Sequence, residues 1–261
     1  MSAGRLILVP NTLDLGALEA GEAPPDLREV LPQAVLREAA RLGHWVGENA
    51  KTTRAFLKRV DAVQPLAQPL QAVAITELPR PAKGRPQAAD RVALLKAHEA
   101  LLAPLRAGQD LGLISEAGLP GVADPGAELV AAAHREGLAV EVLAGPSSLS
   151  LALAASGLQG QSFAFAGYLP QDEAGRAQRL RELEQRSARE QQTQLAIETP
   201  YRNAVLMEAL LRHLQPGTRL AVACGLTLPG GWCRTRSVSA WRTEPPSFPR
   251  HRPAVFAWLA A

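Results

Sequence analysis

The sequence predicts an α/β protein in two domains, the first built on a mostly parallel, doubly wound sheet and the second on a mixed sheet. Three observations predict it. Short apolar runs alternate with amphipathic helical patterns through the first half of the chain. Two of those runs end in loops of glycine, proline, serine and acid that open directly into helices, SEAGLPGVADPG and AGPSSLSLALAASGL. With 261 residues and 47% apolar content, the chain has material for two cores rather than one.

Taken in order, strands are expected at residues 6–9, 44–46, 72–75, 111–115 and 138–143, and helices at 27–42, 52–60, 91–105 and 126–135. The helix of AGPSSLSLALAASGL follows, and there the pattern changes. Later strands are expected at 163–167, 194–198, 219–223, 234–240 and 254–259, with helices around 176–189 and 203–214. The last strands succeed one another across the turn-rich LPGG and EPPSFPRHRP segments, which predicts a mixed or antiparallel edge. The boundary falls near Ser147, giving domains at 1–146 and 147–261. The stretch PRPAKGRPQAA (79–89) reads as a loop, either a flap or a plain solvated connection.

Bulk properties exclude several classes. Cys224 and Cys233 do not stand in CxxC spacing, so a disulfide framework and a metal site both lack support. No apolar run reaches the ~18 residues of a membrane span, and a cytoplasmic setting is expected. No GxxxxGK[ST] exists and no GxGxxG follows the first strand, which argues against nucleotide hydrolysis and hydride transfer. Net charge is only +3, yet the isoelectric point is near 9.2, so an anionic partner is permitted without being required. Aromatic content of 4% supplies little for stacking unpaired bases.

Within the two loops, Gly118, Gly121 and Gly126 allow sharp turns or close approach to a ligand. Asp124 precedes Pro125 at a helix start and reads first as an N-cap, with ligand contact as the alternative. Glu116 directly follows a strand at the sheet edge where crevices form, with no capping partner in sequence, and suits a bound amine. Ser147 and Ser148 either cap the next helix or aim hydroxyls into the crevice.

The succession LILVP, GENAKTTRAFL, LISEAGLPGVADPG, VEVLAGPSSLSLALAASGL, AGYLP and IETPYRN resembles the tetrapyrrole methylase superfamily, over residues 6–227 and a final strand at 253–259. The branch it is most similar to contains small-subunit ribosomal RNA 2′-O-ribose methyltransferases. The resemblance implies a homodimer and S-adenosylmethionine held between two α/β domains. It implies cofactor contacts from Glu116, Ala117, Gly118, Ser147, Ser148, Thr199, Cys224, Leu226, Pro253 and Ala254. S-adenosylmethionine carries no phosphate, so glycine loops without a Lys or Arg anchor suit it better than a nucleotide.

Two segments depart from the family pattern. The loop after the first strand reads PNTLDLG where PTPIGNL is usual, and GENAK stands where AEDTR is usual. The acceptor is therefore open between ribosomal RNA and a small molecule, and a protein that binds the cofactor without methylating is a third reading. A hydroxyl acceptor needs a base, because a neutral alcohol is a poor nucleophile. The histidines all fall outside the ligand loops, which leaves Glu48, with Lys51 nearby, and then Asn11, Thr12 and Asp14 in the first loop as catalytic candidates. A capping acid, a Glu48 to Lys51 surface pair or an ordinary turn would explain the same residues.

Overall fold

The computed structural model describes residues 3–19, 21–80 and 88–261 and divides into two compact units. One comprises Met1–Thr12 and Pro25–Pro146, and the other comprises Leu13–Pro24 and Ser147–Ala261. Residues 81–87 of the expected 79–89 loop lie outside the described residues. Among the described residues, no helix is long and apolar enough to cross a membrane.

The first unit contains β1 (Arg5–Leu8), α1 (Leu27–Val30), α2 (Gln33–Arg41), β2 (His44–Gly47), α3 (Ala50–Val63), β3 (Ala74–Glu77), α4 (Ala88–Ala100), α5 (Ala103–Arg106), β4 (Leu111–Ile114), α6 (Ala127–Arg135) and β5 (Ala139–Val142). Its five strands are all parallel, in the order β3-β2-β4-β1-β5. Alternation along β1 sends Ile7 into a core with α1, α2 and α3, and Leu6 into a second core with α5 and α6. Helices therefore cover both faces, as a doubly wound sheet requires. Gly112 lets Trp45 lie flat on β4, since a Cβ there would fall 2.8 Å from the indole. The helix expected over 27–42 is two, because Pro32 forces Leu31 into extended backbone at φ −106°, ψ 134°.

The second unit contains α7 (Ser148–Ser156), β6 (Phe163–Tyr168), α8 (Glu173–Glu190), β7 (Thr193–Glu198), α9 (Asn203–His213), β8 (Arg219–Cys224), β9 (Trp232–Ser237), α10 (Val238–Thr243) and β10 (Ala254–Leu259). Strand order is β6-β7-β10-β8-β9. The mixed sheet is borne out, but the final strand is not at an edge. β10 runs antiparallel between β7 and β8, and all six residues of AVFAWL are buried. An unbroken apolar run is what a central strand covered on both faces needs. Helices α8, α9 and α10 pack on one face around Trp241, Phe256 and Trp258, while α7 covers the small residues Ala221, Ala223, Val255 and Ala257 on the other.

The strand expected over 234–240 ends at Ser237, whose hydroxyl accepts from Ala240 N–H at 3.2 Å and starts α10. The segment Leu13–Pro24 groups with this unit through Glu19 beside His251 at 3.7 Å and Glu22 beside Arg252 at 3.8 Å.

Candidate active site

In the first unit the parallel pairing of β1 with β4 brings their C-terminal ends side by side, and the loops beyond them stay bonded. Asn11 N–H donates to the Gly118 carbonyl at 2.9 Å, and Gly118 N–H donates to the Thr12 carbonyl at 3.4 Å. The Asn11 side chain closes the junction. Its Nδ2 donates to the carbonyls of Ser115 and Glu116, both at 3.1 Å, and its Oδ1 accepts from Thr12 N–H at 2.8 Å. Asn11 is thus nearly fully engaged with backbone in a buried position. Gly118 sits at φ 70°, where a side chain would be strained. The loop after β5 lies against the same place, since a Cβ on Gly145 would fall 2.2 Å from Pro10.

Pairing of Gly47 with Ile114 sets Glu48 next to the β4 loop. Its Oε1 accepts from Glu116 N–H at 3.1 Å. Neither of the bland readings of Glu48 describes this. The cap of α3 is Asn49, whose Oδ1 accepts from Lys51 N–H at 2.8 Å and Thr52 N–H at 3.4 Å, and Lys51 is an exposed first-turn residue not paired with Glu48. The asparagine that stands where the family pattern has an acid is thus the cap of α3. Asn49→Ala is expected to destabilise the protein by about 1 kcal/mol, read as a lowered urea midpoint.

Asp124 corrects the sequence reading. Gly126, at φ 127°, occupies the N-cap of α6, and no side chain caps that helix. Asp124 instead sits half-buried beside Glu48 and Glu116, and no described group donates a hydrogen bond to it. Burial, then the charges of Glu48 and Glu116, push its carboxyl up to about 7. Glu48 is likewise raised, first by burial and also by the Glu116 charge, while the Glu116 N–H bond and Arg80 pull it down. A cleft of about 280 Å³ opens here, lined by Glu48, Asn49, Leu78, Pro79, Arg80, Glu116 and Pro125. Sequence reasoning missed the engagement of Arg80 and Asp124. Their only signal was position at the end of β3 and in the β4 loop. Among the described residues, no group of three His, Cys, Asp or Glu side chains could hold a metal ion.

In the second unit another set of expected residues converges. Ala254 pairs with Glu198 on one side and Cys224 on the other, so the ends of β7 and β8 meet the start of β10. Thr199 follows β7, and Pro253 accepts from Gly225 N–H at 3.0 Å. Helix α7 runs back along the sheet, its Ser156 carbonyl accepting from Thr235 and the following Gln159 carbonyl accepting from Thr193 at the start of β7. That direction leaves its N-terminus, with Ser147 and Ser148, at the edge where β7 and β8 end. Ser147 is buried at the N-cap yet makes no side-chain capping bond, so its hydroxyl is not spent on the helix. Leu226 packs beside α7.

That edge presents two serine hydroxyls, Thr199, buried Cys224 and small Ala254, with Glu198 and Arg202 neutralising each other at 3.2 Å. A neutral, partly apolar rim with hydroxyls fits an adenosyl group. The cations near that edge are engaged, Arg202 with Glu198 and Arg252 with the Pro229 carbonyl at 2.6 Å.

The comparisons agree with this chemistry. Residues 33–231 match the family of Tetrapyrrole (Corrin/Porphyrin) Methylases. Relatives include the Ribosomal RNA small subunit methyltransferase I of Synechocystis sp., 39% identical over 49% of this chain and 44% of the relative. The enzyme of that name from Halalkalibacterium halodurans is 40% identical over 48% of this chain and 41% of the relative. The match spans less than half the length of these relatives. In fold the chain is similar to crystalline uroporphyrin III C-methyltransferase from Thermus thermophilus, with TM-score 0.50, 19% identity and coverage of 98% of this chain and 97% of that one. The chain belongs to the tetrapyrrole methylase family, whose methyltransferases use S-adenosylmethionine.

Proposed function

We propose that the protein transfers the methyl group of S-adenosylmethionine to ribosomal RNA, at a ribose 2′-hydroxyl. The observation that carries this reading is the carboxylate Glu48, buried enough to be raised in pKa and fixed by one backbone N–H beside an open cleft. The cofactor supplies an electrophilic methyl group. Glu48 takes the proton of the acceptor hydroxyl as that oxygen becomes nucleophilic, and holding the two reactants in line supplies much of the remaining barrier reduction.

Asn11 acts as a positioning residue, since its side chain ties the β1 loop to the β4 loop on which Glu48 depends. Lys51, exposed at the start of α3, offers positive charge to the backbone of the acceptor. The cofactor is assigned to Glu116, Ala117 and Gly118 and to the rim of Ser147, Ser148, Thr199, Cys224, Leu226, Pro253 and Ala254. A homodimer working in the cytoplasm completes the reading, and the free thiols of Cys224 and Cys233 are consistent with a reducing compartment.

Support for RNA comes from relatives named as ribosomal RNA methyltransferases. Labelled methyl groups should pass from S-adenosylmethionine to small ribosomal subunits purified from a strain lacking this protein. Binding of the cofactor with no label on the subunits would sink RNA as acceptor. One observation favours a small-molecule acceptor instead: Glu48 and Glu116 outnumber Arg80 in the cleft lining, and the net negative charge disfavours phosphate and favours a cationic group. Label appearing only on a small amine or tetrapyrrole would decide for that alternative.

A further inference from the structure

We propose that the outer edge of the second sheet, strand β9 with the loop leading into β10, is a docking surface for the phosphodiester backbone of RNA. The inference rests on the RNA reading above and goes beyond it by assigning the surface. From Trp232 to Arg252 the sequence holds five arginines, no lysine and a single acid, Glu244. That segment carries +4, whereas the whole chain carries +3, so the remaining residues together are slightly acidic. Other basic runs exist, Lys51, Arg54, Lys58 and Arg59 on α3 foremost, and this stretch differs from them in being all arginine.

Local structure decides which of the five arginines are available. Arg252 donates to the Pro229 carbonyl at 2.6 Å, and Arg242 donates to the carbonyls of Leu211 and Leu214 at the end of α9. Arg236 pairs with Glu244 at 2.7 Å and lies over Trp241. Arg234 and Arg250 are exposed, and among the described residues neither side chain has an ion pair or hydrogen bond, although the charge of Arg234 is felt at Glu244. Arg234 lies over the Trp232 ring, 5.5 Å from its centroid, which holds the guanidinium plane on an exposed edge strand. Phe248 packs against both Trp232 and Phe256, so the loop carrying Arg250 is anchored beside the same strand.

Planar, always-charged guanidinium groups with fixed donors match phosphate oxygens in pairs, and an all-arginine surface is suited to that geometry. Stable attachment to an anionic membrane takes an apolar anchor in addition to basic charge. Here Trp232 and Phe248 turn toward the core of α8, α9 and α10. An acidic peptide would satisfy the charge alone, and the test separates it from RNA.

Full-length protein would be titrated into a fluorescent single-stranded RNA of about 20 nucleotides, followed by anisotropy between about 50 and 200 mM salt. Arg234→Gln with Arg250→Gln should weaken binding roughly tenfold at the lowest salt. It should also flatten the slope of log K against log salt by about 1.4, two contacts at about 0.7 each. The control pair Arg37→Gln with Arg181→Gln removes the same charge from exposed sites elsewhere and should change affinity less than about twofold. Calorimetric binding of S-adenosylmethionine should be unchanged in both variants.

Equal losses in the two pairs, or none in the first, would overturn the docking surface. A polyglutamate peptide bound as tightly as RNA would overturn RNA as its occupant. The acceptor reading fails separately: RNA bound through these arginines but receiving no methyl label keeps the surface and removes the acceptor.

Discussion

Glu48→Gln is expected to lower turnover by about 10² to 10⁴ while leaving S-adenosylmethionine affinity within about twofold. Glutamine has the same shape, and its amide oxygen can still accept from Glu116 N–H, so the junction between the β2 and β4 ends survives. What is lost is the ability to take a proton. The pH profile carries the sharper evidence. Burial and the neighbouring Glu116 charge raise Glu48 above its ordinary value, so the wild-type rate should climb with pH through that raised pKa and then level. The Gln variant should show no such limb. Full turnover with an unchanged profile would remove Glu48 from the chemistry. Glu48→Ala is a useful companion, because it also frees the Glu116 N–H and should lower cofactor affinity as well if Glu116 contacts that ligand.

Periodicity and loop chemistry in the sequence located every strand of both sheets to within a few residues, because a strand buried on both faces leaves a dense apolar run. Leu111–Ile114 and Ala254–Leu259 are the clearest cases. Strand order was not legible. Nothing local in AVFAWL says that it inserts between β7 and β8, since that depends on pairings with residues thirty or more positions away. Helix breaks were legible in principle. Pro32 splits α1 from α2, and an amphipathic pattern running through it concealed the split.

Site residues divide the same way. Glu48, Glu116 and Asn11 were visible because they follow strands that a parallel sheet aligns at one edge. Their hydrogen-bond roles were not. Asn11 and Asn49 are both short amides in loops, yet one joins two loops across more than a hundred residues and the other caps its own helix. Asp124 was misread as a cap because an acid before proline at a helix start normally is one. The left-handed Ala123 at φ 65° and Gly126 at φ 127° redirect the chain, so the carboxylate joins Glu48 and Glu116 instead.

Asp124→Asn is therefore expected to stabilise the protein, and to do so in a pH-dependent way. In the folded state burial and two neighbouring carboxylates raise Asp124 from 3.8 to about 7. The folded form then holds this proton more tightly than the unfolded form. The sign follows from linkage: between about pH 4 and pH 7 the unfolded chain binds fewer protons, so stability falls as pH rises through that window. At about 1.36 kcal/mol per unit the full effect is at most ~4 kcal/mol. Solvent reaching the half-buried carboxyl reduces the expected gain of the Asn variant to about 2 kcal/mol at pH 8. At pH 4 the gain should nearly vanish, because wild-type Asp124 is then protonated. Urea midpoints for both proteins at the two pH values test this, and an equal gain at both would show that the amide acts by packing and not by removing charge. A protein that keeps an unbonded carboxylate against two others behind a strained alanine forgoes stability at that loop. Strain of this kind persists where the site uses it. The same variant should then lose activity above pH 7, where wild-type Asp124 is ionised and the variant cannot be.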